Sequence, residues 1–281
     1  MAGVDGRIVV VTGAGGGLGR SHALLLGRNG AKVVVNDLGT SLDGSGAETD
    51  AAGAVVDEIV TAGGEAVANR DDVATAVGGA AVVECAVESY GRIDAVVNNA
   101  GILRDRTFHK MTDDEWDAVL KVHLYGSFYV TRAAMPHFRE QEYGRIVVTT
   151  SVTGLYGNFG QANYGAAKLG LVGLVNTLAI EGRDRNILAN AVSPLARTRM
   201  SVDILDEEFD PEYASVLVVY LAGDECRTSG EILHAAAGRY TRVRYAESRG
   251  VEFPDVPSVD ALAARWEEVV DMENADFRPG T

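Results

Sequence analysis

Ile8-Val9-Val10-Val11-Thr12-Gly13-Ala14-Gly15-Gly16-Gly17-Leu18-Gly19 reads as a strand, a tight turn and the opening of a helix. The apolar run has no polar alternation, which describes a strand covered on both faces, and the glycines end it abruptly before helical spacing takes over. Similar runs recur at Lys32–Asn36, Ala95–Asn98 and Arg145–Thr149, each separated from the next by a longer stretch of helical periodicity. Further strands are expected at Glu65–Ala68, Ile187–Val192 and Glu231–His234. This alternation predicts an α/β fold, a doubly wound parallel sheet of about seven strands with helices on both faces. Residues 39–49 hold too many turn formers for an element and are read as a loop after the second strand. The pattern changes near residue 238, so residues 1–237 are read as a catalytic, nucleotide-binding domain and 238–281 as a C-terminal helical extension. Within the extension, Ser258 can cap a helix that carries Val259, Leu262, Trp266, Val269 and Val270 on one face, docked on its own domain or a partner subunit.

The 281 residues carry 25 Lys and Arg against 40 Asp and Glu, a net charge of −15. Such a field repels nucleic acids and anionic membranes, so neither is an expected partner. Cys85 and Cys226 cannot make a disulfide framework and lack metal-ligand spacing, so no metal is expected and a reducing compartment is. No apolar run approaches the roughly 20 residues that span a bilayer, and Met1–Gly6 leads into structure rather than a leader sequence. A cytoplasmic protein is the expectation.

A glycine-rich turn can be no more than a tight loop, but this one stands between a strand and a helix. There Gly13, Gly17, Leu18 and Gly19 can bring backbone close to a pyrophosphate at a helix N-terminus. Asp37 ends the second strand, where a carboxylate can bind both hydroxyls of an adenosine ribose and repel a 2′-phosphate. No cation within the turn offsets that repulsion, so NAD is expected over NADP. A second constellation is Ser151-x12-Tyr164-x3-Lys168. Tyr164 and Lys168 are one helical turn apart, so both side chains emerge on one face. A free phenol titrates near ~10, and a nearby ammonium together with an oxidised nicotinamide would bring it toward neutral pH. Taken singly, Ser151 could be a cap, Tyr164 a surface aromatic and Lys168 a solvated charge.

The glycine turn, Asn98-Asn99-Ala100-Gly101 and Ser151-x12-Tyr164-x3-Lys168, in this order, resemble the short-chain dehydrogenase/reductase family. The resemblance implies a Rossmann-type domain and hydride transfer with a nicotinamide cofactor. It also implies Tyr164 as acid/base, Lys168 on the nicotinamide ribose and Ser151 on the reacting oxygen. By the same likeness Asp72 and Val73 contact adenine, with Asp71 an adjacent rival, while Asn99, Ala100 and Gly101 support the cofactor. Pro194, Ala196 and Thr198 fall beside the nicotinamide amide, although Leu195 stands where a Gly often follows that Pro. Where many members carry a catalytic Asn, this chain has His123. Imidazole can position a water and can ionise, so His123 is expected to join the proton relay as a catalytic residue and to give the activity an ionisation near neutrality, the other reading being a packed, non-catalytic histidine.

Five segments look more narrowly like the (3R)-hydroxyacyl-CoA dehydrogenase branch of that family, the dehydrogenase portion of peroxisomal multifunctional enzymes of type 2 that is also called 17-beta-hydroxysteroid dehydrogenase type 4. They are Val34–Gly39, Gly101–Arg106, Val122–Phe128, Tyr156–Tyr164 and Asp271–Ala275. This implies oxidation of the β-hydroxyl of an acyl-CoA thioester of a fatty or steroid side chain. The chain lacks room for fused hydratase or sterol-carrier domains and ends Arg278-Pro279-Gly280-Thr281, which is not a peroxisomal address. The other readings are a hydroxysteroid dehydrogenase, a 3-ketoacyl reductase, or a catalytically idle NAD(H)-binding regulator. A CoA thioester needs a local basic patch: either Arg239, Arg242, Arg244 and Arg249 against Glu247, or Arg104, Arg106 and Lys110. Residues 199–213 could cover an acyl chain or steroid. Gly165, Gly170 and Gly173 would allow close packing at a subunit contact, and the family likeness favours a homodimer or homotetramer.

Overall fold

The computed structural model describes residues 3–46, 50–198, 201 and 205–277. Seven strands lie parallel: β1 (Ile8–Thr12), β2 (Lys32–Asn36), β3 (Glu65–Asn69), β4 (Ala95–Asn98), β5 (Gly144–Thr149), β6 (Ile187–Leu195) and β7 (Ile232–Ala236). An eighth, β8 (Arg239–Val243), runs antiparallel at one edge, giving the order β3-β2-β1-β4-β5-β6-β7-β8. Alternate residues of the central strands feed two cores. Val10, Val34, Val96 and Val148 pack under α3 (Ala76–Tyr90), α5 (Gly126–Glu140) and α7 (Ala162–Gly182). Val9, Val11, Val33, Val35 and Val97 pack under α1 (Gly17–Arg28), α2 (Ala51–Thr61) and α8 (Pro211–Ala222). Burial on both faces is why these strands read as unbroken valine runs.

β6 extends to Leu195, past the expected end at Val192. Beyond Val192 it pairs with β7 alone, so the N–H that Pro194 lacks is not missed on the β5 side. Thr112 and Glu115 form a reciprocal capping box that starts α4 (Asp113–Leu120). Between α4 and α5 the helix widens into a π turn at Lys121–Tyr125, which carries His123.

The eighth strand comes from the region read as the extension, which thus begins inside the domain's own sheet. Ala237 and Gly238, with φ of 42° and 79°, make the two-residue turn between β7 and β8. Further on, β9 (Ala246–Glu247) pairs with β10 (Asp276–Phe277), and two short helices follow Ser258, α9 (Val259–Ala263) and α10 (Trp266–Val270). Ser258 does cap, accepting from Ala261 N at 3.1 Å. The single helix expected there is broken at Ala264–Arg265, and Val259 and Trp266 remain 85% and 53% exposed in the single chain.

The loop after β2 is knotted by Ser41, Asp43 and Ser45, with Ser41 Oγ donating to Ser45 O at 2.7 Å; residues 47–49 of it lie outside the described residues. Of the expected cover, residues 199–213, positions 199, 200 and 202–204 lie outside the described residues, and α8 begins at Pro211. Residues 278–281 also lie outside them.

Candidate active site

The chain leaves β1 toward β2 yet β1 also pairs with β4, so the direction of winding reverses between them and a crevice opens at the carboxyl ends of the strands. That crevice holds about 470 Å³, within the range of small-molecule sites. Gly13 turns the chain at φ +62°, and a Cβ there would stand 2.6 Å from Ala100 Cα. A Cβ on Gly19 would stand 2.1 Å from Gly13 O, so Gly19 lets helix and turn touch and does not itself line the crevice. No side chain caps α1, whose first residues Gly17 and Leu18 line the crevice with Gly13 and Gly16. Asp37 accepts from Gly15 N and Gly39 N, both at 2.7 Å, so its carboxylate is fixed beside the turn. A Cβ on Gly16 would meet nothing within 4 Å, so the turn leaves room for a phosphate at the helix N-terminus, and these residues fit a dinucleotide.

Asn99 braces the reversal point. Its Nδ2 donates to Thr12 O and Gly13 O at 3.1 Å each, while Thr12 Oγ1 accepts from Asn99 N and Ala100 N. Asp71, Asp72, Val73, Ala100, Gly101, Pro194, Ala196 and Thr198 also line the crevice. Lining does not separate Asp71 from Asp72: Asn69 Nδ2 holds the Asp71 carboxylate at 2.7 Å, and Ala74 N holds that of Asp72 at 2.9 Å.

At the other end, β5 leads into Ser151, the N-cap of α6 (Val152–Tyr156), whose Oγ accepts from Thr153 N at 3.1 Å. Tyr164 and Lys168 project from α7 into the same space, which Ser151 also lines, near enough to the Tyr164 phenol to influence its titration. Lys168 is 3% exposed. Its Nζ donates to Thr149 O at 2.6 Å and stands 5.5 Å from the centre of the Tyr164 ring. Burial pushes the Lys168 ammonium down from 10.5 to about 7. Desolvation raises Tyr164 above its ordinary value, the Ser151 hydroxyl opposes that rise, and the Asp105 carboxylate adds to it. In the protein alone, burial thus outweighs the lowering that a neighbouring cation was expected to produce.

His123 is buried, its ring edge-on to Tyr164 with centroids 5.1 Å apart. Its Nε2 lies 3.1 Å from Ile102 N and 2.9 Å from Ile102 O, so it can accept from one or donate to the other but not both. Among the described residues its Nδ1 has no partner. Desolvation, followed by the Lys168 charge, holds the imidazole well below its ordinary range. Both influences favour the neutral imidazole at physiological pH, against the ionisation near neutrality expected from it.

Residues 7–208 match the short chain dehydrogenase family. The chain belongs to this family. It is accordingly an oxidoreductase, of a family that generally uses NAD or NADP. A short-chain type dehydrogenase/reductase of Mycobacterium tuberculosis is 55% identical over 279 residues, 98% of each chain. The structure of the full-length peroxisomal multifunctional enzyme type 2 from Drosophila melanogaster superposes with a TM-score of 0.82 at 41% identity. That likeness covers 98% of this chain but 47% of the relative, so the chain spans about half its length. A hydroxyacyl-CoA dehydrogenase of Mycobacterium tuberculosis is 41% identical over 221 residues, 76% of this chain and 68% of the relative.

For this short-chain dehydrogenase, the site residues named from the sequence, Gly19 excepted, lie on the crevice wall between the glycine turn and Thr198. Sequence spacing did not find Gln161, Leu103, Lys121, Val122 or Leu205, which line the crevice around Tyr164 and Arg104. Leu103, Val122 and Gln161 stand in segments that carry the narrower likeness and Leu205 in the expected cover, but no spacing singled them out, and Lys121 carried no signal. Of the two basic groups, Arg104 lines the crevice while Arg106 is engaged by Glu115 at 2.7 Å. Arg242 and Arg244 both face Glu231, away from the crevice.

Proposed function

We propose that this protein oxidises the 3-hydroxyl of (3R)-3-hydroxyacyl-CoA thioesters to the ketone, with NAD rather than NADP as hydride acceptor. The observation that carries the reading is that Ser151, Tyr164 and buried Lys168 line one end of a crevice whose other end is the glycine turn and Asp37. The substrate oxygen lies between Ser151 and Tyr164. Ser151 donates a hydrogen bond that orients it, and Tyr164 Oη takes its proton. Lys168 holds the nicotinamide ribose and favours the phenolate. A nicotinamide cofactor held there would supply the acceptor for the hydride of the carbinol carbon, while the O–H proton goes to Tyr164 Oη. Asp37, fixed by two backbone N–H groups, favours a free 2′-hydroxyl over a 2′-phosphate.

A hydroxyacyl-CoA dehydrogenase among the relatives supports the substrate class. Among the described residues Arg104 and Lys121 are the cations on the crevice wall outside the reacting pair; Arg104 Nε donates to Asp43 O at 2.9 Å and Lys121 pairs with Asp117 at 3.4 Å, and their remaining N–H groups take the CoA phosphates. The outward face of α7, with Leu169, Gly173 and Ile180 exposed, supports a homodimer or homotetramer. Free Cys85 and Cys226 suit a cytoplasmic enzyme. The test is reduction at 340 nm with NAD or NADP and a panel of (3R)-hydroxyacyl-CoAs, steroid-CoA thioesters and free hydroxysteroids. Turnover of the thioesters with NAD is expected. Turnover of free steroids alone, or a preference for NADP, would overturn the reading, and no reduction with any substrate would favour a nucleotide-binding regulator.

A further inference from the structure

Gln161, the residue before α7, has its carboxamide engaged on three sides. Its Oε1 accepts from Thr153 Oγ1 at 3.1 Å and Asn158 Nδ2 at 3.0 Å, and its Nε2 donates to Asp105 Oδ2 at 2.8 Å. Asn158 is itself oriented, because its Oδ1 accepts from Phe159 N at 3.0 Å, so the two ends of the Gln161 amide are assigned by their partners. Thr153 donates its backbone N–H to Ser151 Oγ, which leaves the hydroxyl proton of Ser151 to be given elsewhere. Gln161 thus joins α6, the turn at 157–160 and the segment after β4. That last segment is also tied to Gly160 by Arg106 N at 2.8 Å.

We propose that Gln161 is a positioning residue for the reacting pair: it sets the Ser151 hydroxyl through Thr153 and holds the Asp105 carboxylate toward Tyr164. The inference rests on the reading of Tyr164 as the acid/base group. Tyr164 is faced by Lys168 from its own helix, by neutral His123 from the π turn, by Ser151 from α6 and by Asp105 from the segment after β4. On α4, Glu115 is engaged by Arg106, and Arg104, next to Asp105 in the chain, donates from Nε to Asp43 O at 2.9 Å. Among the described residues Asp105 is thus a negative charge that adds to desolvation in holding the proton on Tyr164, and the added cation of an oxidised cofactor would oppose both. An alcohol arriving with an oxidised cofactor then meets a tyrosine ready to lose that proton, while the empty enzyme holds it.

Two variants separate the charge from the geometry. Asp105→Asn keeps an oxygen for Gln161 Nε2 and deletes the charge. Gln161→Ala deletes the hub. In D105N the acidic limb of the kcat/KM profile should move to lower pH by about 0.3–0.5 unit, the size of a screened charge several ångströms away. Q161A should lose about tenfold in kcat with KM for NAD unchanged. A D105N profile superimposable on the parent, or Q161A within twofold of the parent kcat, overturns the proposal; if circular dichroism shows Q161A unfolded, the D105N profile decides alone. Tyr164→Phe is run beside them. Full turnover in Y164F means that the functional reading has failed, whereas an inactive Y164F with an unmoved D105N profile means that only this inference has.

Discussion

At the scale of one residue, Lys168 shows how much a spacing rule leaves out. The x3 interval places it on the face of Tyr164, but does not reveal that it is buried against the carboxyl end of β5, donating to Thr149 O. A lysine whose folded value is near 7 against an ordinary 10.5 binds fewer protons folded than unfolded between those two pH values. Its burial penalty is thus fully present below about pH 7 and is relieved as pH rises toward 10. Lys168→Met fills the same space without a charge, at the expense of the hydrogen bond to Thr149 O. The cofactor-free variant should be more stable than the parent by about 2 kcal/mol at pH 6, with the advantage shrinking and then reversing toward pH 9.5, while turnover is lost. Urea unfolding at pH 6, 8 and 9.5 reads this directly. A stability difference that does not change with pH would mean that the ammonium is solvated.

At the scale of elements, the valine runs and glycine turn were legible because each is dictated by burial on both faces or by a required backbone geometry. The helical face proposed after Ser258 was less so: the cap is real, but apolar spacing cannot reveal that Arg265, at φ −114°, interrupts the helix. β8 was missed as a strand for a related reason, since its polar, exposed pattern Arg239-Tyr240-Thr241-Arg242-Val243 suits only an edge. The turn that makes that edge holds a non-glycine residue in the left-handed region, Ala237 at φ +42°, next to Gly238 at φ +79°. Ala237→Gly relieves the Cβ conflict at a position already committed to positive φ. It should stabilise the protein by about 0.5–1 kcal/mol and raise Tm by about 1–3 °C, whereas Gly238→Ala should lower stability by about 1 kcal/mol. Calorimetry of the two variants checks the pair; equal and opposite signs locate the strain in the turn, and two destabilised variants would show that Ala237 makes contacts worth more than its strain.

At the scale of the whole molecule, two electrostatic effects of different range act on the proposed substrate. The net charge of −15 repels an anionic CoA thioester from afar, while Arg104 and Lys121 attract its phosphates at contact distance. Salt separates them, because raising ionic strength from roughly 20 to 150 mM shortens the screening length from about 20 Å to about 8 Å, which removes the distant field and spares contacts made within a few ångströms. With NAD saturating, kcat/KM for a (3R)-hydroxyacyl-CoA is therefore expected to rise about two- to fivefold over that range. The matching N-acetylcysteamine thioester, which lacks the phosphates, should show no such rise. Arg104→Ala should raise KM for the CoA thioester several-fold at 150 mM salt and leave the truncated substrate unaffected. A fall in kcat/KM with added salt would instead mean that a local positive field governs the encounter, and that the acidic surface lies too far from the crevice to matter.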